Sequence, residues 1–165
     1  MRTHFLFAMT ALGVFLKTLE PASAATATGS MNVQIQIIAE CLVTSATDLD
    51  FGTEGIIASN IDQTSTISVQ CTDGTPYNVG LGAGAGSGAT VTNRLMTGPA
   101  SATIGYALYR DSGRTQNWGE TVGTDTVAGT GDGSVQAITV YGRVPAQATP
   151  GAGTYTDSVT VTVTY

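Results

Sequence analysis

Three observations predict an all-β fold. In the last eleven residues every second side chain is large and apolar except one, with Tyr155, Asp157, Val159, Val161, Val163 and Tyr165 on one side and Thr156, Ser158, Thr160, Thr162 and Thr164 on the other. A period of two is the mark of a strand with one apolar and one polar face. Six to eight short runs of this kind are spaced along the chain between turn residues, which is the spacing of an antiparallel sandwich of immunoglobulin type. Apolar residues recur at helical spacing only near the N-terminus.

Taken in order, the chain opens with Arg2 and His4 ahead of an apolar run, Phe5 to Leu16, and then the small residues Ala22-Ser23-Ala24. A basic start, a short apolar stretch and a small-residue exit read as a secretory signal peptide over residues 1–24, cleaved after Ala24. The run of 12 residues falls short of the roughly 17–25 that a membrane span needs; the alternative is a retained anchor. The remaining residues 25–165 fit one domain, which opens on an N-terminal segment. Within the segment Met31, Val33, Ile35 and Ile37 alternate with Asn32, Gln34 and Gln36. A strand at each end without a neighbour in sequence is suited to pairing with copies of itself.

Losing the leader removes the only lysine, Lys17, and the only histidine, His4. Arg94, Arg110, Arg114 and Arg143 then face eleven carboxylates, a net charge of −7. Such a surface repels phosphate backbones, so no nucleic-acid partner is expected. Cys41 and Cys71 are expected to form one disulfide in an exported chain, the alternative being two buried thiols. Two cysteines without histidine do not make a zinc site, and no metal or cofactor is expected.

Thr64 to Cys71 reads as a strand with Ile67, Val69 and Cys71 on one face. Asp73-Gly74-Thr75-Pro76 is a turn, and Tyr77, Val79 and Leu81 carry a second strand, so 64–71 and 76–82 are expected to pair as a hairpin. Gly82 to Gly88 is a flexible glycine-rich loop, with no following helix or Lys-Ser/Thr to make it a phosphate cradle. Ala89 to Thr92 looks like strand, as does Ile104 to Arg110. Thr121 to Gly133 is expected to be a long polar connection, Val135 to Tyr141 a strand, and Pro145 to Gly153 a loop before the final strand that begins at Thr154.

Catalytic chemistry finds little support. A nucleophile with a histidine base, or a Ser-Lys dyad, is excluded for want of both bases. Asp48 and Asp50, two apart on an expected strand, could bind calcium or act as a glycosidase pair, and Asp111 lies near Glu120; the plainer reading of each is a solvated edge. Gly129 to Gly133 is treated as a turn. Phe51, Tyr77, Tyr106, Tyr109, Trp118, Tyr141, Tyr155 and Tyr165 could stack on sugars or simply fill the sandwich.

Eight segments in order carry a resemblance: Leu49 to Thr53, Ile67 to Cys71, Thr75 to Tyr77, Arg94 to Met96, Tyr106 to Arg110, Asn117 to Gly119, Tyr141 to Pro145 and Pro150 to Asp157. Together they resemble the spore coat protein U domain family, the pilins of archaic (Csu-type) chaperone–usher systems, from about Cys41 to Tyr165. The resemblance implies an incomplete immunoglobulin-like sandwich of pilin type that lacks its last strand. It implies a periplasmic chaperone that lends a strand, an outer-membrane usher, and identical or related pilin subunits whose N-terminal segments replace the lent strand. By position, Met31, Val33, Ile35 and Ile37 are the expected donor, and Tyr155, Val159, Val161, Val163 and Tyr165 the expected acceptor edge. The competing view makes residues 31–38 the first strand of the same domain, against which stands the short link Ala39-Glu40. The function so implied is a non-enzymatic pilus subunit exported through the periplasm to the cell surface, supporting adhesion and biofilm. A secreted carbohydrate-binding or adhesin module, a coat protein and a secreted glycosidase are the alternatives.

Overall fold

The computed structural model describes residues 23–165. The expected leader lies outside them except for Ser23 and Ala24. Contacts divide the chain into Met1–Ile35 and Gln36–Tyr165, and the fold belongs to the second unit.

That unit has eight strands: β1 (Cys41–Ala46), β2 (Ile61–Cys71), β3 (Pro76–Leu81), β4 (Arg94–Thr97), β5 (Thr103–Tyr109), β6 (Val127–Thr130), β7 (Val135–Val144) and β8 (Val161–Thr164). One sheet runs β1-β2-β7-β5-β4 and the other β6-β3-β8, with every ladder antiparallel. The described residues contain no α-helix, only a 3₁₀ turn at Pro99–Ser101.

The core forms where alternating apolar faces meet. Ile67, Val69 and Cys71 of β2 and Tyr77, Val79 and Leu81 of β3 are all at most 4% exposed. Tyr106 and Leu108 of β5 and Val140 and Val144 of β7 join them. Each such side chain contributes about 1.5–3 kcal/mol on burial. Trp118 is fully buried, and its indole N–H donates to the Val79 carbonyl at 2.8 Å, which meets the polar demand of the ring. The disulfide joins Cys41 and Cys71, register partners on β1 and β2, as expected from the two cysteines.

Arg94 is the unexpected core residue. It is fully buried, with Nε donating to the Gly82 carbonyl, Nη1 to Val91, and Nη2 to both Leu81 and Trp118, at 2.7–2.8 Å. Burial draws its pKa below the ordinary value, and the charge is solvated by backbone carbonyls rather than by a carboxylate in contact.

Four sequence expectations give way. β2 and β3 do not form a hairpin: the Thr72–Thr75 link crosses from one sheet to the other, with Gly74 at φ 77° and its N–H donating to Gly131. Period-two alternation names the buried face of a strand, not its partner. Ala89 to Thr92 is not a strand; Thr90 and Asn93 close a tight turn on each other. The connection from Thr121 to Gly133 contains β6, which pairs with β3. Asp48 and Asp50 lie beyond the end of β1 in an irregular stretch, where Asp50 caps the turn at Gly52 through a 2.8 Å bond. At Gly142 a Cβ would come within 2.7 Å of Leu49, so its absence lets Leu49 and Phe51 lie across β7.

Candidate functional site: an open slot between two sheet edges

Each sheet ends in a strand that faces the other across a gap. Among the described residues β1 has one ladder partner, β2, and β8 has one, β3. β1 and β8 approach within 8 Å, Cα to Cα, yet no ladder joins them. The burial pattern shows what the gap costs. Val159, Val161 and Val163 point toward the core but stay only half-buried, while the residues between them are exposed. Val43 of β1, on the same face as buried Cys41, is 41% exposed. On a finished sandwich these positions would be as dry as Val69 or Val79, which are 0% exposed.

Beneath the gap lies a cavity of about 290 Å³, lined by Ala46, Ile67, Leu81, Tyr106, Val159 and Val161 among others. A second recess of about 720 Å³ shares Leu49, Phe51 and Met96 with the first and reaches Tyr155. The walls are mostly apolar, so water in the slot is poorly satisfied and an apolar strand would displace it favourably.

The final strand is shorter than its alternation predicts. Only Val161–Thr164 form a ladder, pairing with Leu81 to Asn78 of β3. Before that, Thr156 exchanges two hydrogen bonds with Thr97 at the end of β4, so the chain starts on one sheet and finishes on the other. Asp157 sits at the crossing. One carboxylate oxygen accepts the Tyr106 hydroxyl at 2.7 Å, and the other accepts the N–H of Ala85 at 2.7 Å. The glycine-rich loop is thereby tied to the slot. Burial first, then the bond to Asp157 and its charge, push the Tyr106 phenol well above its ordinary 10.0. The lone carboxylate on an otherwise apolar face was the one sequence signal for this network. Nothing in the sequence marked Arg94 as a buried residue, nor did it mark Gln147, whose side-chain amide pairs with both backbone groups of Gly105 at 2.8–3.0 Å.

Of the expected acceptor residues, Val159 and Val161 line the cavity and Tyr155 the second recess. Val163 packs against the core, and Tyr165 is 59% exposed. The expected donor side chains are open: Met31 is 87% exposed, Val33 85%, Ile35 82% and Ile37 70%. Residues 23–40 form no regular element.

A Spore Coat Protein U domain model matches residues 27–162. The chain belongs to the spore coat protein U domain family. A relative within reach of this family match is Protein U of Myxococcus xanthus, 36% identical over 164 residues and covering 91% of each chain. A solved structure with the same fold is the chaperone–tip adhesion subunit pre-assembly complex from the archaic chaperone–usher Csu pili of Acinetobacter baumannii. It aligns with a TM-score of 0.57 at 24% identity, over 78% of this chain and 40% of that one. The family resemblance drawn from the eight motifs and the all-β, immunoglobulin-like class both stand.

Proposed function

We propose that this protein is a structural subunit of a secreted chaperone–usher pilus that polymerises by donor-strand complementation. The observation that carries the reading is the half-exposed inner face of β8 beside an unpaired edge, in a chain that also carries four exposed, alternating apolar residues, Met31, Val33, Ile35 and Ile37. Set into the slot of a second copy, each would bury surface worth about 1.5–3 kcal/mol, and ladder bonds would add about 0.5–1.5 kcal/mol each. Ordering the segment costs about 1–2 kcal/mol per residue in backbone entropy, which apolar burial must exceed. The contact is head-to-tail and does not close, so it generates a filament.

In this reading residues 1–24 are an export leader, residues 25–40 the donor and residues 41–165 the acceptor domain. A periplasmic chaperone fills the slot first, an outer-membrane usher exchanges its strand for the next subunit's segment, and the fibre supports adhesion and biofilm. The similarity in fold to a pilus subunit supports this, and the similarity to Protein U is compatible with a coat built by the same exchange. Ile35→Asp, or deletion of residues 25–38, is expected to give a folded, chaperone-bound subunit that makes no fibres in electron micrographs. Fibres of normal length from either variant would refute the proposal.

A further inference from the structure

A chain that carries both a slot and a plug must avoid plugging itself. We propose that Thr72 is the positioning residue that keeps the N-terminal segment out of its own molecule's slot and leaves it for a second copy of this chain. The inference rests on the strand-donation reading above.

The topology places the problem. Cys41 pairs with Cys71, the short Thr72–Thr75 link leads into β3, and Asn78 of β3 pairs with Thr164. The start of β1 and the end of β8 therefore lie at the same end of the sandwich. β1 runs away from that end and β8 runs toward it. To enter its own slot, the segment before Cys41 would have to turn back within Ala39-Glu40 and lie against β1.

Thr72 holds the chain in the opposite course. Its N–H donates to the Glu40 carbonyl at 2.9 Å. Its hydroxyl accepts the Glu40 N–H at 3.1 Å and donates to the Ile38 carbonyl at 3.1 Å, with the Glu40 carbonyl at 3.4 Å as the longer alternative. These bonds continue the β1–β2 pairing past the disulfide, so Ile38 to Glu40 prolong the line of β1. Ile37 and Ile38 are correspondingly 70% and 66% exposed.

Reversal would break this set and demand a two-residue hairpin turn. The turns that match strand twist need a left-handed residue, which Gly and Asn tolerate and which Ala and Glu resist through their Cβ atoms. The segment of a second copy carries no such tether.

The test unfolds the protein, refolds it without chaperone, and measures the monomer-to-polymer ratio by light scattering. Thr72→Val removes both hydroxyl bonds while keeping the branched shape. Adding Ala39→Asn and Glu40→Gly supplies a favourable turn. Thr72→Val is expected to raise the monomer share about thirtyfold, the weight of two ordinary hydrogen bonds, and the triple variant further. Thr72→Ser, which keeps the hydroxyl, is expected to behave as wild type. The triple variant's monomer should lose its raised urea midpoint when Ile35→Asp is added, because the plug is then its own. A triple variant with the wild-type ratio overturns the role of Thr72, provided Ile35→Asp alone abolishes polymers. Polymers that survive Ile35→Asp in the wild-type background overturn strand donation itself.

Discussion

At the scale of single residues, two polar groups organise a mostly apolar interior. Arg94 gathers the carbonyls of Leu81, Gly82, Val91 and Trp118, which come from three separate stretches of chain. It acts as a cross-link made of hydrogen bonds, and removing it strands several buried acceptors. Arg94→Met is expected to cost about 3–5 kcal/mol, the range for breaking a buried charged network. Arg94→Lys should recover only part of that, since an ammonium lacks the planar fork that reaches four carbonyls. Urea unfolding of the two variants beside wild type checks the order. Asp157 plays the same part for the slot, joining Tyr106 of β5 to the loop at Ala85. Asp157 was visible in the sequence as the odd member of an apolar face. Arg94 was not, because a lone arginine between turn residues reads as surface until the fold closes around it.

At the scale of elements, alternation was legible and pairing was not. The buried faces of β2 and β3 are those the sequence named. The partners of β2 were missed, because inner-face residues look alike whether the neighbour lies beside them or across the core. β2 in fact lies between β1 and β7, and its outer face is joined to β7 by an ion pair. Arg143 holds Asp62 through two bonds of 2.7 and 2.8 Å, and Arg114 lies 3.3 Å away. The hydrogen bond from Arg143, helped by the charge of Arg114, holds the Asp62 carboxyl below its ordinary 3.8. A depressed carboxylate pKa contributes stability that is complete above the unfolded value and lost as pH falls through the folded one. The window therefore lies below 3.8. Asp62→Asn is expected to lower the unfolding free energy from urea titration slightly near neutral pH, by up to about 1 kcal/mol for so exposed a pair. The difference from wild type should vanish as pH is taken below that window.

At the scale of the whole molecule, the disulfide and the slot belong to one design. The bridge spans 30 residues and pins β1, one wall of the slot, to β2. On the chain-entropy model such a loop stabilises by about 3.7 kcal/mol. Replacing both cysteines by alanine is expected to lower unfolding stability by about that amount and, on the strand-donation proposal, to weaken polymers further, because an edge strand that frays cannot receive a ladder. Guanidinium titration of monomer and polymer separates the two effects. The sequence by itself determined the all-β class, the buried faces of β2 and β3, the cysteine pair and the family, since each is written in local alternation or in ordered motifs. Only the tertiary structure decided that β2 and β3 part between sheets, that the stretch before β8 changes sheet at Asp157, and that Thr72 bonds to Ile38 and Glu40. Those depend on which distant backbones come within hydrogen-bond reach, and no periodicity along one strand encodes its neighbour.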